Sequence, residues 1–250
     1  MKERRRSPVV PPHIEVDACT YDYRKQLIAR LPLFEGLDSR AITHITDQFS
    51  ESGYTDGEVI LREGEPAKRF CLNALGVVTL TRTTDEGETI VLDILTSGET
   101  FGSVAGFGPP YYSENAVAGS TVCALWIDAE RFRSIITEYP PVALKTIEFL
   151  SHRLRLSQEL VTQLGGYSAE VRVAWVIRRL ADKLGRPWEG KTLIGASFRR
   201  EQIASMAGTT TETCSRIISD FRRRGVVETG REWIAVTDAE ALEELIPETF

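Results

Sequence analysis

Residues 197–236 carry the pattern that leaves this chain the fewest folds: a short helix, a glycine turn, a second helix and two short strands. In Phe198-Arg199-Arg200-Glu201-Gln202-Ile203-Ala204-Ser205-Met206, the apolar Phe198, Ile203 and Met206 share one helical face. Arg199, Arg200, Glu201 and Gln202 are expected to stay wet. Gly208 supplies the backbone freedom of a tight interhelical turn at Ala207-Gly208. Beyond it, Ile217, Ile218 and Phe221 give the second helix an inner face and leave Glu212, Ser215 and Arg216 on its outer, N-terminal side. That order describes a winged helix-turn-helix, and those outer positions are the ones a recognition helix presents to base edges.

Glu212 and Arg216 lie four residues apart on one helix face. An arginine can donate two hydrogen bonds to guanine O6 and N7, and a glutamate can accept from cytosine N4. Two alternatives stay open at this point. Thr209-Thr210-Thr211-Glu212 also has the form of a capping box, in which Glu212 only returns to the helix start. Arg216 could equally pair with Glu212, an i,i+4 interaction of a few tenths of a kcal/mol.

The charge pattern favours DNA contact. The net charge of −6 belongs to residues 1–167, with 17 basic and 23 acidic side chains, whereas 168–250 hold 13 of each. Within 196–231, seven arginines face four acids, including the run Arg222-Arg223-Arg224. A local positive patch of this kind is an electrostatic footprint for nucleic acid, although cations also suit a helix C-terminus. Thr210, Thr211, Arg199 and Arg223 complete the expected DNA-contacting set. No apolar run reaches the length of a membrane span, and Met1-Lys2-Glu3-Arg4-Arg5-Arg6 lacks the apolar core of a signal peptide, so a cytoplasmic location with no membrane contact is expected. The basic cluster Arg4–Arg6, with Pro8, Pro11 and Pro12 behind it, reads as a flexible tail over residues 1–20, with a loose phosphate contact as an alternative.

Between residues 51 and 127 the texture changes to short strand-like stretches broken by Gly57, Gly64, Gly76, Gly87 and Gly98. Regular turns around segments such as Val77-Val78-Thr79-Leu80-Thr81 and Thr89–Leu95 predict an antiparallel double-sheet jelly roll. From Val142 to Leu164 no helix breaker occurs, and Ala143, Ile147, Leu150, Leu154, Ser157, Val161 and Leu164 step by four and three. Such an a/d seam pairs helices, so a two-fold homodimer with two recognition helices and a palindromic site is expected; burial of the helix on its own domain is the alternative. The class is thus α+β: a β-roll sensor over 21–137, a dimerisation helix over 138–165 and a winged helix-turn-helix over 166–250.

These motifs resemble those of the CRP/FNR superfamily of bacterial transcription regulators over about residues 24–246. One branch has an Arg-Glu-Thr-x-x-Arg recognition core and another has Glu-x-x-Ser-Arg; Glu212, Ser215 and Arg216 follow the second, and Thr211 replaces the leading Arg of the first. The resemblance implies TGA-type half-sites, double-stranded DNA and RNA polymerase as partners, and regulation by an effector rather than catalysis. Leu31-Pro32-Leu33-Phe34 and a helix over 38–49 resemble the family's lead-in to its β-roll.

In cyclic-nucleotide-binding members, a Phe-Gly-Glu turn holds the ribose and an Arg-Ser pair the phosphate. The matching residues are Phe101-Gly102-Ser103 and Ser113-Glu114, which mark the expected effector pocket. Loss of the ribose carboxylate weakens such binding, and Glu114 beside an anion opposes it, so an effector other than a cyclic nucleotide is expected. Cys19, Cys71, Cys123 and Cys214 are too scattered for an iron–sulfur cluster. Where the family's carbon monoxide sensor has its haem-linked Cys and His, this chain has Gly102 and Val104, but His13, His44 and His152 leave haem open. Cys214, near the start of the recognition helix, is a candidate redox thiol, with inward burial as the alternative. A jelly-roll enzyme would need a His and carboxylate cluster, and no His occurs between His44 and His152. A cyclic-nucleotide- or haem-responsive regulator of the same family is the alternative, and a cyclic-nucleotide-binding module acting on a protein partner is another.

Overall fold

The computed structural model describes residues 19–103, 108–195, 199–230 and 233–247. Val104, Phe198, His13 and the basic tail Arg4–Arg6 lie outside the described residues. The chain divides into two compact units, with the boundary between Leu156 and Ser157.

The first unit opens with α1 (Tyr21–Ala29), a 3-10 turn at Pro32–Phe34 and α2 (Ser39–Thr46). Thr20 and Asp38 cap the two helices by accepting from the backbone N–H groups of Tyr23 and Ala41. Eight strands follow: β1 (Ser50–Tyr54), β2 (Val59–Leu61), β3 (Arg69–Leu75), β4 (Val78–Thr83), β5 (Thr89–Leu95), β6 (Thr100–Gly102), β7 (Asn115–Ala118) and β8 (Val122–Asp128). They form two antiparallel four-stranded sheets, ordered β1-β8-β3-β6 and β2-β7-β4-β5, the jelly roll that the turn spacing predicts. Strand β3 is buried on both faces because side chains alternate across it. Cys71 points between the sheets with Leu80, Phe101 and Val122, while Phe70 and Leu72 join Ile28, Phe34, Ile45 and Phe132 in a second core. The rings of Phe70 and Phe132 stack with centroids 4.8 Å apart, fixing α3 (Ala129–Glu138) against β3. Gly57, Gly64, Gly76, Gly87 and Gly98 all sit at turns with positive φ. At Gly76 the requirement is absolute, since an added Cβ would lie 2.2 Å from the Thr121 carbonyl oxygen.

Helix α4 (Pro140–Gly166) runs on from the first unit as one unbroken helix, as the absence of breakers predicts. The second unit holds α5 (Ala169–Leu184), β9 (Gly185–Trp188), β10 (Lys191–Ile194), α6 (Arg200–Met206), α7 (Thr211–Arg223), β11 (Val227–Gly230), β12 (Trp233–Val236) and α8 (Ala239–Glu243). Its sheet has four strands, ordered β11-β12-β10-β9, so the expected two-stranded wing is extended by a hairpin that precedes the helix-turn-helix. Val173, Ile177 and Leu180 of α5 pack the core together with Ile203, Ile218 and Phe221. No helix among the described residues is long and apolar enough to cross a membrane.

Candidate DNA-binding surface and effector pocket

Gly208 has φ +57, and the α6–α7 turn closes through Gly208 N–H to Ser205 O and Thr209 N–H to Ala204 O. Thr210 is the N-cap of α7: its Oγ1 accepts from Thr213 N–H at 3.2 Å. This corrects the capping-box alternative. The cap falls one residue later than Thr209, so Glu212 stands in the first turn without capping the chain. Glu212 and Arg216 are both exposed, and neither has a side-chain hydrogen bond or ion pair among the described residues, so the i,i+4 pairing is not made either. Ser215 is half-buried beside them and Thr211 is exposed. Ile218 and Phe221 are fully buried and Ile217 is half-buried, which sets the inner face as expected.

The surrounding arginines divide by partner. Arg199 is exposed at the α6 N-cap, where its N–H donates to Gln202 Oε1. Arg200 and Gln202 are half-buried, which corrects the expectation that both stay wet; burial lowers the Arg200 pKa. Arg223 is largely exposed and paired to Asp220, whereas Arg224 reaches Glu170 on α5 at 2.8 Å and so ties α7 to its scaffold.

Cys214 is fully buried, and burial pushes its thiol up to about 11. The candidate redox role is therefore corrected: helix periodicity turns Cys214 inward beside Ile218, away from the face of Glu212 and Arg216. Desolvation outweighs the cationic pull of Arg200 on the thiolate.

The five sequence-derived pocket residues surround one cavity of about 440 Å³ in the first unit, a volume suited to a small organic ligand. Phe101 and Gly102 come from β6; Gly102 has φ +81, and a Cβ there would lie 2.6 Å from the Arg69 carbonyl. Ser103 is only 8% exposed, and its Oγ has no hydrogen-bond partner among the described residues. Ser113 donates to Glu114 Oε2 at 3.0 Å. Leu61, Leu80 and Ala116 give the wall its apolar part, and Tyr112 Oη accepts from Arg69 N–H beside it. Leu150 and Arg153 of α4 also line the cavity. Sequence reasoning assigned Leu150 to the seam alone and missed Arg153, because nothing local signals which strand turn a helix will cross. His44 faces Glu138 at 3.5 Å and His152 is exposed; neither lines the cavity.

Residues 171–245 match the Crp-like helix-turn-helix domain, and residues 52–139 match the cyclic nucleotide-binding domain. The chain is 30% identical over 215 residues to the cyclic AMP receptor protein of Thermus thermophilus, covering 86% of this chain and 96% of that protein. It belongs to the CRP/FNR family. The "CRP-like cAMP-activated global transcriptional regulator" of Mycobacterium tuberculosis is 26% identical over 217 residues, 87% of this chain and 97% of its own. The structure of FixK2 from Bradyrhizobium japonicum has the same fold, with a TM-score of 0.70 at 22% identity over 80% of this chain and 98% of that one. This CRP/FNR protein is a DNA-binding transcription regulator, and with that family the jelly-roll enzyme is set aside.

Proposed function

We propose that this CRP/FNR regulator binds, as a homodimer, a palindromic site with TGA-type half-sites, and that its effector is not a cyclic nucleotide. The observation that carries the DNA reading is the pair Glu212 and Arg216, exposed on one face of α7 and committed to no partner among the described residues. Arg216 supplies the bidentate guanine contact and Glu212 accepts from cytosine, with Ser215 between them. Thr210, Thr211, Arg199 and Arg223 hold phosphates, which position the protein without reading sequence. RNA polymerase is the partner expected once the site is occupied.

The dimer rests on α4. Ile147, Leu154 and Val161 are 61%, 61% and 69% exposed, an apolar stripe at heptad spacing that solvent does not favour. The domain roles follow: sensor over 21–137, dimerisation helix over 138–165 and DNA reader over 166–250, acting in the cytoplasm beside the chromosome.

Two relatives carry cyclic AMP in their names; against that effector here, the residues that match the family's phosphate-binding pair are Ser113 and Glu114, neither of them a cation. Selection of preferred sites from random DNA tests the DNA reading. Enrichment of inverted TGA half-sites supports it; enrichment of an asymmetric or unrelated sequence overturns it.

A further inference from the structure

Two of the four cysteines form a bond that spans 104 residues. Cys19, just ahead of the α1 cap, is joined to Cys123 on β8. Cys71 and Cys214 are free and buried, with their thiols pushed up to about 12 and about 11, so they are poor nucleophiles. The joined pair differs from them in setting. Cys123 is half-buried on a strand between β1 and β3, where a small reagent can reach it. A carboxylate oxygen of Glu51 lies within 4.8 Å of both sulfurs, and Arg24 holds that carboxylate at 3.2 Å, which offsets its repulsion of a thiolate.

Contacts besides the bond also dock α1. Tyr21 Oη donates to Asp47 at 2.6 Å, Tyr23 Oη donates to the Ala74 carbonyl at 2.9 Å, and Ile28 is fully buried. On the function proposed above, a regulator of chromosomal DNA works where glutathione and thioredoxin keep thiols reduced, and disulfides that form there are mostly transient and redox-sensing. A permanent staple fits neither fact.

We propose that Cys19 and Cys123 form a reversible thiol–disulfide site that locks the start of α1 onto β8 in the oxidised protein. Oxidised glutathione, a low-molecular-weight disulfide, serves as the oxidant. One cysteine thiolate attacks it, forming a protein–glutathione disulfide and releasing one glutathione. The second cysteine then attacks the protein sulfur of that mixed disulfide. The Cys19–Cys123 bond forms, the second glutathione leaves, and the two protons lost by the protein end on the two glutathione thiols.

The test uses the full chain equilibrated across ratios of reduced to oxidised glutathione, then denatured, alkylated with N-ethylmaleimide and weighed intact. The expected result is four added groups under reducing conditions and two under oxidising conditions, interconverting in both directions, because Cys71 and Cys214 remain thiols throughout. Cys19→Ser and Cys123→Ser should each add three groups under reducing conditions and, with no partner to resolve it, stop at the mixed disulfide with glutathione under oxidising ones, never forming the internal bond. In wild type the first unit should melt at a higher temperature when oxidised, since the cross-link restricts the unfolded chain; in Cys123→Ser the two conditions should coincide. Four groups at every ratio overturn the proposal, whether the thiols stay apart or hold a Zn²⁺ ion with Glu51. Two groups at every ratio, even with excess dithiothreitol, also overturn it by showing a fixed staple. Neither readout uses DNA, so the outcome is separate from that of the proposed binding site.

Discussion

Arg172 Nε donates to the carbonyl oxygen of Ala207 at 2.7 Å, so one side chain of α5 holds the turn of the helix-turn-helix. The same guanidinium donates to Gly208 O at 3.0 Å and to Tyr167 O at 2.7 Å. With Leu164 O at 3.4 Å, four backbone acceptors are thereby fixed by a rigid planar donor, and α7 inherits its orientation from α5. A lysine cannot reproduce the fork.

Arg172→Ala should therefore lower the stability of the second unit by about 2 kcal/mol, in the range of hydrogen bonds from charged donors. It should weaken binding to every DNA sequence by a similar factor, because the reading residues are untouched. Denaturant melts and DNA titrations check both. Unchanged stability would mean that water satisfies these carbonyls as well as the guanidinium does.

Arg216→Ala should cost about 1–3 kcal/mol at a TGA half-site and flatten base preference, since a bidentate guanine contact disappears. Arg223→Ala should instead weaken all sequences alike and reduce the salt dependence of binding, as expected for a phosphate contact. Site selection with the two variants separates the roles. An Arg216 variant with unchanged preference would remove it from the reading set.

What the sequence reveals here is what is local or periodic. Gly208 flanked by Ile203, Met206, Ile218 and Phe221 betrays the helix-turn-helix because helix faces repeat every three to four residues. The glycines at 57, 64, 76, 87 and 98 betray the β-roll because each turn needs positive φ. Contacts across long separations leave no such trace. Cys19 and Cys123 are 104 residues apart, and nothing near either one names the other. Arg153 reaches the cavity only because α4 crosses the turn around Ser113, and the β9–β10 hairpin is too short for alternation to stand out. Cys214 leaves both readings open in the sequence because its neighbours there, Thr213 and Ser215, are polar, whereas its buried place beside Ile218 is apolar.

On the seam of α4, Leu154→Glu together with Val161→Glu should dissociate the proposed dimer and abolish affinity for the proposed full palindrome, because each charge would be buried against its symmetry mate. Sedimentation of wild type and variant gives the answer directly. A wild-type chain that stays monomeric at micromolar concentration yet binds palindromes tightly would contradict the assignment.

Cys214 should resist alkylation by iodoacetamide in the native protein at about pH 8, where an exposed thiol reacts readily. Burial raises its pKa to about 11 from 9.0, so the native state favours the protonated thiol. That preference stabilises the fold fully below the unfolded value near 9 and is lost as pH climbs through 11. Peptide mapping after a timed pulse of reagent measures the incorporation. Rapid labelling of Cys214 at neutral pH would restore the redox thiol on the DNA-reading helix.

Cyclic AMP should neither raise the melting temperature of this regulator nor enhance its DNA binding, despite the names of two of its relatives. A ligand that binds only the native state stabilises it by RT ln(1 + [L]/Kd), about 4 kcal/mol for micromolar affinity at millimolar nucleotide. A cyclic phosphate placed against Ser113 would meet no cation there, and the Glu114 carboxylate would lie beside its negative charge. Ser103 offers the ribose a hydroxyl in place of a carboxylate, a weaker acceptor than the ionised group. Arg153, on the α4 side, is a cation among the described residues that line the cavity, so its variant is the informative control. A saturable rise in melting temperature with cyclic AMP or cyclic GMP, lost in Arg153→Ala or Ser103→Val, would show that α4 supplies the phosphate partner and would restore the cyclic nucleotide as effector.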